Sequence, residues 1–349
     1  MGFETASTDN RQKPLSSRGL QYLIVPISWF YVGLSLQRLQ AILEGVLVLL
    51  FCLTIGLAVI FGLGFPQTGK YAIYIPYMIG VMLFFNFLDV KIQLRRAYPW
   101  VLLITLFLSA VAIPAFVYYI LSVAFPGAYR TGLLLVACAP TGITTLVLGR
   151  YIKGSNYHLV LSNFFFITFA SVFYIPLLLE FVLDQDVRLE TSPYTLLVQM
   201  ALLVILPYIL SQTAVRLLRQ QWLVKNPNIS KGATLILIFC IVGVSIAKVA
   251  DQLTLSAESI WLALSVLAIN LIHGGIGYAI GWVRNNSELK KTLPLICSSR
   301  NIQLVFAIAV LNFPPLSYVP IIMGLFFHHL TNAFWLWILG RIQPSGDAS

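Results

Sequence analysis

Charged residues are scarce in this chain, and their scarcity decides its class. Only 10% of the 349 residues are charged, 59% are apolar, and the mean hydropathy is +0.87. Soluble globular domains carry about 25% charged residues and do not reach this hydropathy. Apolar segments long enough to cross a bilayer follow one another to the end of the chain, and no polar linker divides them. The sequence therefore predicts an all-α polytopic protein of the lipid bilayer.

Motifs of catalysis and metal binding are also missing. The chain has no HExxH sequence, no Walker loop and no serine-triad signature, which argues against an intramembrane enzyme and gives no reason to expect a cofactor. Its four cysteines lie inside apolar segments without CxxC spacing, so we expect neither a disulfide nor a metal site. The net charge of +10 does not indicate a nucleic-acid partner, because the basic residues lie at the ends of apolar segments.

The apolar segments predict ten membrane spans. They cover about residues 42–64, 71–90, 99–123, 131–149, 157–183, 193–215, 233–250, 259–283, 290–311 and 317–340. Residues 1–19 are predicted to be a disordered tail, and residues 20–36 an interfacial helix, with an eleventh span as the alternative for 20–36. Lys and Arg are concentrated on the side that holds both termini, so the positive-inside rule places both termini in the cytoplasm of a multi-pass protein of the plasma (inner) membrane.

The spans divide into two halves with the same plan. A split near Asp186 leaves five spans in residues 42–185 and five in residues 193–340. Because each half has an odd number of spans, the halves have opposite orientations, which predicts an inverted repeat. In each half, polar residues interrupt the fourth span, at 140–145 and at 297–301. Paired interruptions of this kind point to the binding site of a secondary transporter.

If the two interrupted helices cross, their polar residues form one candidate substrate site. These residues are Thr141, Thr144, Thr145, Ser298, Ser299, Arg300 and Asn301. A guanidinium inside a membrane segment costs several kcal/mol, about 3 or more, and no acidic residue lies deep in a predicted span to neutralise Arg300. Two interpretations stay open. Arg300 holds the anionic head of a substrate, or it is a fixed internal cation that caps helix-terminal carbonyls or bonds to neighbouring threonines.

Histidines give weaker signals. His273 lies beside Gly274 and Gly275, where helices pack closely, so it is either a core histidine or a candidate proton carrier. His328 and His329 are adjacent, so on a helix they point about 100° apart and make a poor metal pair.

The interruptions resemble those of a known family. Gly142-Ile143-Thr144-Thr145-Leu146-Val147, followed by Arg150-Tyr151-Ile152-Lys153-Gly154, resembles the first crossover region of the bile acid:sodium symporter family. Ser299-Arg300-Asn301 with Leu304 resembles its second crossover, and Phe65-Pro66 also fits. The resemblance covers about residues 42–340.

This resemblance implies ten helices in two inverted five-helix repeats, with discontinuous helices 4 and 9 crossing at mid-membrane. It implies a core domain formed by spans within 99–183 and 259–340, and a panel domain formed by spans within 42–90 and 193–250. Motion of one domain against the other would give alternating access for a small organic anion, which the family typically moves with sodium.

The departures from the family concern its sodium ligands. By resemblance, these ligands fall on Ser109, Thr145, Leu146, Ile296 and Arg300, so an acidic ligand is replaced by Ile296 and a glutamine by Arg300. Sodium needs oxygen ligands, and a fixed cation repels it. We therefore expect an organic-anion transporter without sodium coupling, moving its substrate with protons or by facilitated diffusion.

Two alternatives remain. One is a related ten-span permease of the arsenite or auxin-carrier type. Arsenite exporters would use a cysteine near the first crossover, where Cys138 lies. The other is a non-transporting membrane sensor that binds its ligand at the same crossover.

Overall fold

The computed structural model describes residues 50, 53–88, 98–152, 154–182, 192–217, 227–252 and 256–341, and every structural statement below concerns these residues. They belong to one compact unit, Leu50–Ser349. The predicted tail at 1–19, the predicted interfacial helix at 20–36 and the start of the first predicted span lie outside the described residues.

The described residues are helical, which confirms the all-α prediction, and the only β-type pairing among them is one isolated bridge. The helices are α1 (Leu53–Gly64), α2 (Ile75–Phe87), α3 (Pro99–Leu121), α4 (Gly127–Cys138), α5 (Thr144–Tyr151), α6 (Tyr157–Val182), α7 (Pro193–Leu217), α8 (Pro227–Val249), α9 (Ala257–Val283), α10 (Ser287–Ser298), α11 (Ile302–Asn312) and α12 (Tyr318–Arg341). A 3₁₀ stretch, Pro66–Tyr74, leads into α2. Two π-helical turns flank Pro114 within α3, because proline has no N–H for the regular helical bond.

Seven helices in the described part of the chain are long and apolar enough to cross a membrane. Three further apolar helices, α1, α4 and α11, are shorter. The spans predicted at 131–149 and 290–311 each consist of two short helices separated by an interruption. The inverted-repeat relation of the two halves stays a prediction.

The buried core surrounds the interrupted helices. Residues 133–139 of α4 and the following turn, and residues 304–309 of α11, are almost completely buried. Large apolar side chains elsewhere are exposed, such as Phe181 at 84% and Tyr77 at 73%, which suits a surface facing lipid.

Glycines allow α9 and α10 to approach closely. A Cβ on Gly277 would lie 2.5 Å from the Leu293 carbonyl oxygen, and one on Gly281 would lie 2.7 Å from the Lys290 Cα. Small residues at such positions let helix backbones come into contact in membrane proteins. This contact fixes α10, and with it the second interruption, against a long continuous helix.

Candidate functional site

The two interruptions lie against each other. The first separates α4 from α5, and the second separates α10 from α11. The Gly142 N–H donates to the Ser299 carbonyl over 2.7 Å, and the Asn301 N–H donates to the Pro140 carbonyl over 2.7 Å. The pair forms an isolated antiparallel bridge between Thr141 and Arg300. Backbone groups that lost helical partners therefore satisfy one another, as burial requires.

Gly142 permits this contact. A Cβ at this position would lie 2.7 Å from the Arg300 carbonyl oxygen and 2.8 Å from its carbon. These are backbone atoms, which cannot rotate away as a flexible side chain can. A glycine is needed where two backbone segments pass this closely.

The Arg300 side chain points into the protein. It is only 3% exposed, its Nη1 donates to Ser109 Oγ over 3.0 Å, and its Nη2 donates to the Ala137 carbonyl over 3.5 Å. Ala137 lies in the last turn of α4, where the helix dipole favours a positive charge. The guanidinium therefore lies at the C-terminus of α4, and its role stays a prediction.

The five positions at which the resemblance predicts a former ion site do not offer the ligands that a sodium ion needs. Ser109 Oγ accepts from the guanidinium, and the buried Thr145 Oγ1 donates to the Ser299 carbonyl over 3.3 Å. Leu146 and Ile296 are buried apolar side chains without ligand oxygens. A hard cation needs several oxygens directed at one point, and here the charge at that point is already positive.

Thr141 is buried at the first interruption and bonds to α6. Its hydroxyl donates to Asn163 Oδ1 over 3.0 Å, and Asn163 Nδ2 donates to Thr105 Oγ1 over 2.5 Å. All three residues are buried. This chain of hydrogen bonds joins the first interruption to α6 and α3.

A second polar cluster joins both interruptions to α12. Thr144 Oγ1 lies 2.7 Å from Ser299 Oγ and 3.3 Å from His328 Nε2, and the Asn332 amide lies 3.0 Å from the same nitrogen. The Arg300 backbone N–H donates to His328 Nδ1 over 3.3 Å. Thr144 is half-buried whereas its partners are buried, so it is the member of this cluster that a ligand can reach.

The remaining predicted residues have other surroundings. Asn301 caps α11 by accepting from the Leu304 N–H over 3.2 Å, and Ser298 is buried, with no hydrogen-bond partner among the described residues for its Oγ. His273 Nδ1 lies 2.8 Å from the Ile269 carbonyl, and its Nε2 lies 3.1 Å from the Ala137 carbonyl that also accepts from Arg300. His273 thus adjoins the buried guanidinium, and its role in proton transfer stays a prediction.

Sequence reasoning missed the partners of these residues. It did not consider Asn163 or Asn332, and it weighed His328 only as a metal ligand. The available signal was polar residues inside apolar helices, with His328 and Asn332 four residues apart on one face of α12. Among the described residues, no group of His, Cys, Asp and Glu side chains could hold a metal ion.

A cavity of about 710 Å³ lies apart from the crossover. Apolar side chains of α2 and α7 line most of it, together with Leu311 of α11. Gln199 contributes its amide to the lining, and its Oε1 accepts from Asn312 Nδ2 over 2.9 Å. None of the predicted site residues lines this cavity.

Comparison with known proteins identifies the family of this chain. The chain is similar to "Uncharacterized protein YbaS" of Bacillus subtilis (strain 168), with 24% identity over 77% of this chain and 89% of that protein. It is also similar to "Uncharacterized sodium-dependent transporter YocS" of the same organism, with 23% identity over 83% of this chain and 92% of that protein. Residues 73–256 match the family described as "Sodium Bile acid symporter family". Since the match covers more than half of its 349 residues, the chain belongs to the Sodium Bile acid symporter family.

Proposed function

We propose that this protein is a secondary transporter that moves a small organic anion across the plasma membrane by alternating access, without sodium coupling. Membership of the family and similarity to a protein named as a transporter support transport as the function. The crossing of two helix interruptions supports a transporter mechanism, because non-helical backbone at membrane depth is typical of transport sites.

The proposed topology has ten spans. The seven long helices supply seven of them, α1 belongs to the first, and the pairs α4–α5 and α10–α11 form the two interrupted spans. The two five-span halves would be inverted repeats, with both termini in the cytoplasm.

Alternating access would move the core domain against the panel domain. The Asn312–Gln199 hydrogen bond joins α11 of the proposed core to α7 of the proposed panel. Ring contacts also join the proposed core to the proposed panel, with centroids 6.2 Å apart for Phe87 and Phe164 and 5.8 Å apart for Tyr208 and Phe165. These contacts would exchange as the domains move.

The contact between Arg300 and Ser109 is the observation on which sodium independence depends. It joins two positions that the resemblance assigns to a former ion site, and it places the positive charge of the guanidinium there. At an effective dielectric constant of about 20, a second unit charge about 4 Å away is repelled by about 4 kcal/mol. That repulsion lowers sodium affinity about a thousandfold, before the missing carboxylate is considered.

The same charge favours an anionic substrate. Since the guanidinium is buried, it would act on the substrate through its field, while the half-buried Thr144 would make direct contact. The other predicted site residues, Thr141, Thr145, Ser298, Ser299 and Asn301, would then shape the crossover around Thr144.

Counterflow in proteoliposomes tests this proposal. Vesicles preloaded with one of a panel of carboxylates, including a bile salt, would be assayed for exchange with the same labelled compound in Na⁺ and in K⁺ buffers. We expect exchange of at least one carboxylate at equal rates in both buffers. Exchange that requires Na⁺ would overturn sodium independence, and binding without exchange would identify a sensor.

The arsenite-type alternative loses its main support. The Cys138 thiol is fully buried and lies 3.5 Å from the Leu135 carbonyl of its own helix. A thiol that binds arsenite must be reached by it. The same liposomes, tested with arsenite, would show no uptake.

A further inference from the structure

Three helix ends meet at one end of the bundle. α9 ends at Val283 and α10 begins at Ser287, after a short turn in which Asn286 Oδ1 caps the first N–H groups of α10. α12 runs beside α9 in the same direction, because Gly274 lies against Trp335 and Tyr278, one turn later, packs against the buried cluster that holds Leu339. The end of α12 and the α9–α10 turn therefore lie toward the same end of the bundle.

At each of these helix ends, the side chain of a basic residue lies over an aromatic ring. The Arg284 Cζ is 4.6 Å from the centre of the Trp100 ring, the Lys290 Nζ is 4.6 Å from that of Trp282, and the Arg341 Cζ is 3.8 Å from that of Trp337. We call these six residues the basic–tryptophan surface. Trp282 and Trp337 are more than half exposed, and Arg284 and Arg341 are exposed as well.

The acidic residue nearest in sequence does not neutralise this charge. Glu288 lies in the first turn of α10, but its Oε1 accepts from Asn156 Nδ2 at the start of α6. Lys290 instead donates to the neutral Asn285 Oδ1 over 3.1 Å. The positive charges thus remain available to a ligand at the surface.

We propose that the basic–tryptophan surface binds the headgroup of an anionic phospholipid. Tryptophans at the ends of membrane helices lie at the level of the lipid headgroups, so the rings hold the three cations at the depth of the lipid phosphates. Guanidinium groups bind phosphate oxygens in pairs, and an ammonium group adds a compact charge. Each base near an anionic membrane surface strengthens binding about fivefold, so three bases together give about a hundredfold. This inference rests on the membrane location and is independent of any transported substrate.

Native mass spectrometry of the purified full chain tests the proposal. The protein would be titrated with dioleoylphosphatidylglycerol, with dioleoylphosphatidylcholine and with glycerol phosphate. We expect bound phosphatidylglycerol, at least tenfold weaker binding of phosphatidylcholine, and no measurable binding of glycerol phosphate. Equal binding of the two lipids, or competition by glycerol phosphate, would overturn the assignment to an anionic lipid.

Variants locate the site. The triple variant Arg284→Gln, Lys290→Gln, Arg341→Gln should lose at least tenfold in phosphatidylglycerol affinity. Lys70→Gln is the matched control, because Lys70 is also exposed and lies 5.1 Å from the centre of an aromatic ring, outside this surface. The Lys70→Gln variant should bind phosphatidylglycerol with an affinity within about twofold of that of the unchanged protein. If the triple variant does not fold, the three single variants should each lose about fivefold, and unchanged affinity in all three would refute the site.

Discussion

Replacing Gly142 by alanine tests the contact between the two interruptions. The new Cβ would lie 2.7 Å from the Arg300 carbonyl oxygen, whereas ordinary van der Waals contact begins at 3.4 Å. The two backbone segments must therefore separate by about 0.7 Å. Overpacking of this kind costs about 1–3 kcal/mol. The separation would also stretch a backbone hydrogen bond worth about 1 kcal/mol, either Gly142 to Ser299 or Asn301 to Pro140. We expect Gly142→Ala to lower the free energy of unfolding by about 2–4 kcal/mol, measured by detergent-titrated unfolding in mixed micelles.

Gly275→Ala is the matched control. Gly275 lies inside α9, and a Cβ there would meet nothing within 4 Å. Alanine in a helix interior is more stable than glycine by about 0.5–1 kcal/mol, so the control should gain stability slightly. If Gly142→Ala were as stable as Gly275→Ala, the two interruptions could not be in the contact described here.

Two further substitutions test the surroundings of the crossover by the same measurement. Asn163→Leu removes the amide that joins Thr141 to Thr105 and should cost about 1–3 kcal/mol, because two buried hydroxyls lose a partner. Asn270→Leu is its control, since the Asn270 amide is equally buried but, within the described part of the chain, bonds only to its own helix. This variant should change stability by less than about 1 kcal/mol. Equal losses of unfolding free energy in the two variants would show that the hydrogen bonds of Asn163 to Thr141 and Thr105 do not stabilise the protein. Gly154 has φ +81°, so Gly154→Ala should cost about 1–2 kcal/mol, and Gly154→Asn should cost less because asparagine tolerates this conformation. An Ala variant as stable as the Asn variant would contradict that backbone conformation.

Hydropathy was sufficient to predict the continuous helices. The spans predicted at 99–123 and 157–183 correspond to helices that end at Leu121 and Val182. The second span was predicted from residue 71, whereas the helical stretch that leads into α2 begins at Pro66 as a 3₁₀ helix containing the polar run Gln67 to Lys70. The polar run lowers the mean hydropathy at the start of this stretch. The proline at its first position is the sequence signal that could have indicated a helical start.

The interruptions were predictable, but their partners were not. Proline, glycine and clustered polar residues mark a break in any apolar segment, so both breaks could be read from the sequence alone. The bond from Arg300 to Ser109 joins residues 191 positions apart and depends on how α3 packs against α4. The roles of Asn163 and His328 depend likewise on distant packing, which no local pattern records.

A tethered cation and a bound sodium ion differ in what they can contribute to transport. A sodium ion that binds on one side and leaves on the other adds the free energy of its gradient to each transport cycle. The Arg300 guanidinium carries the same charge but cannot leave, so it could hold the crossover together in every conformation and could not couple transport to a gradient.

The prediction that follows concerns Arg300→Gln. This variant would lose the bond from the guanidinium to Ser109 and should destabilise the protein equally in Na⁺ and in K⁺, because Ile296 still supplies no carboxylate. Stabilisation of the variant by Na⁺ alone would show that a functional ion site persists beneath the arginine.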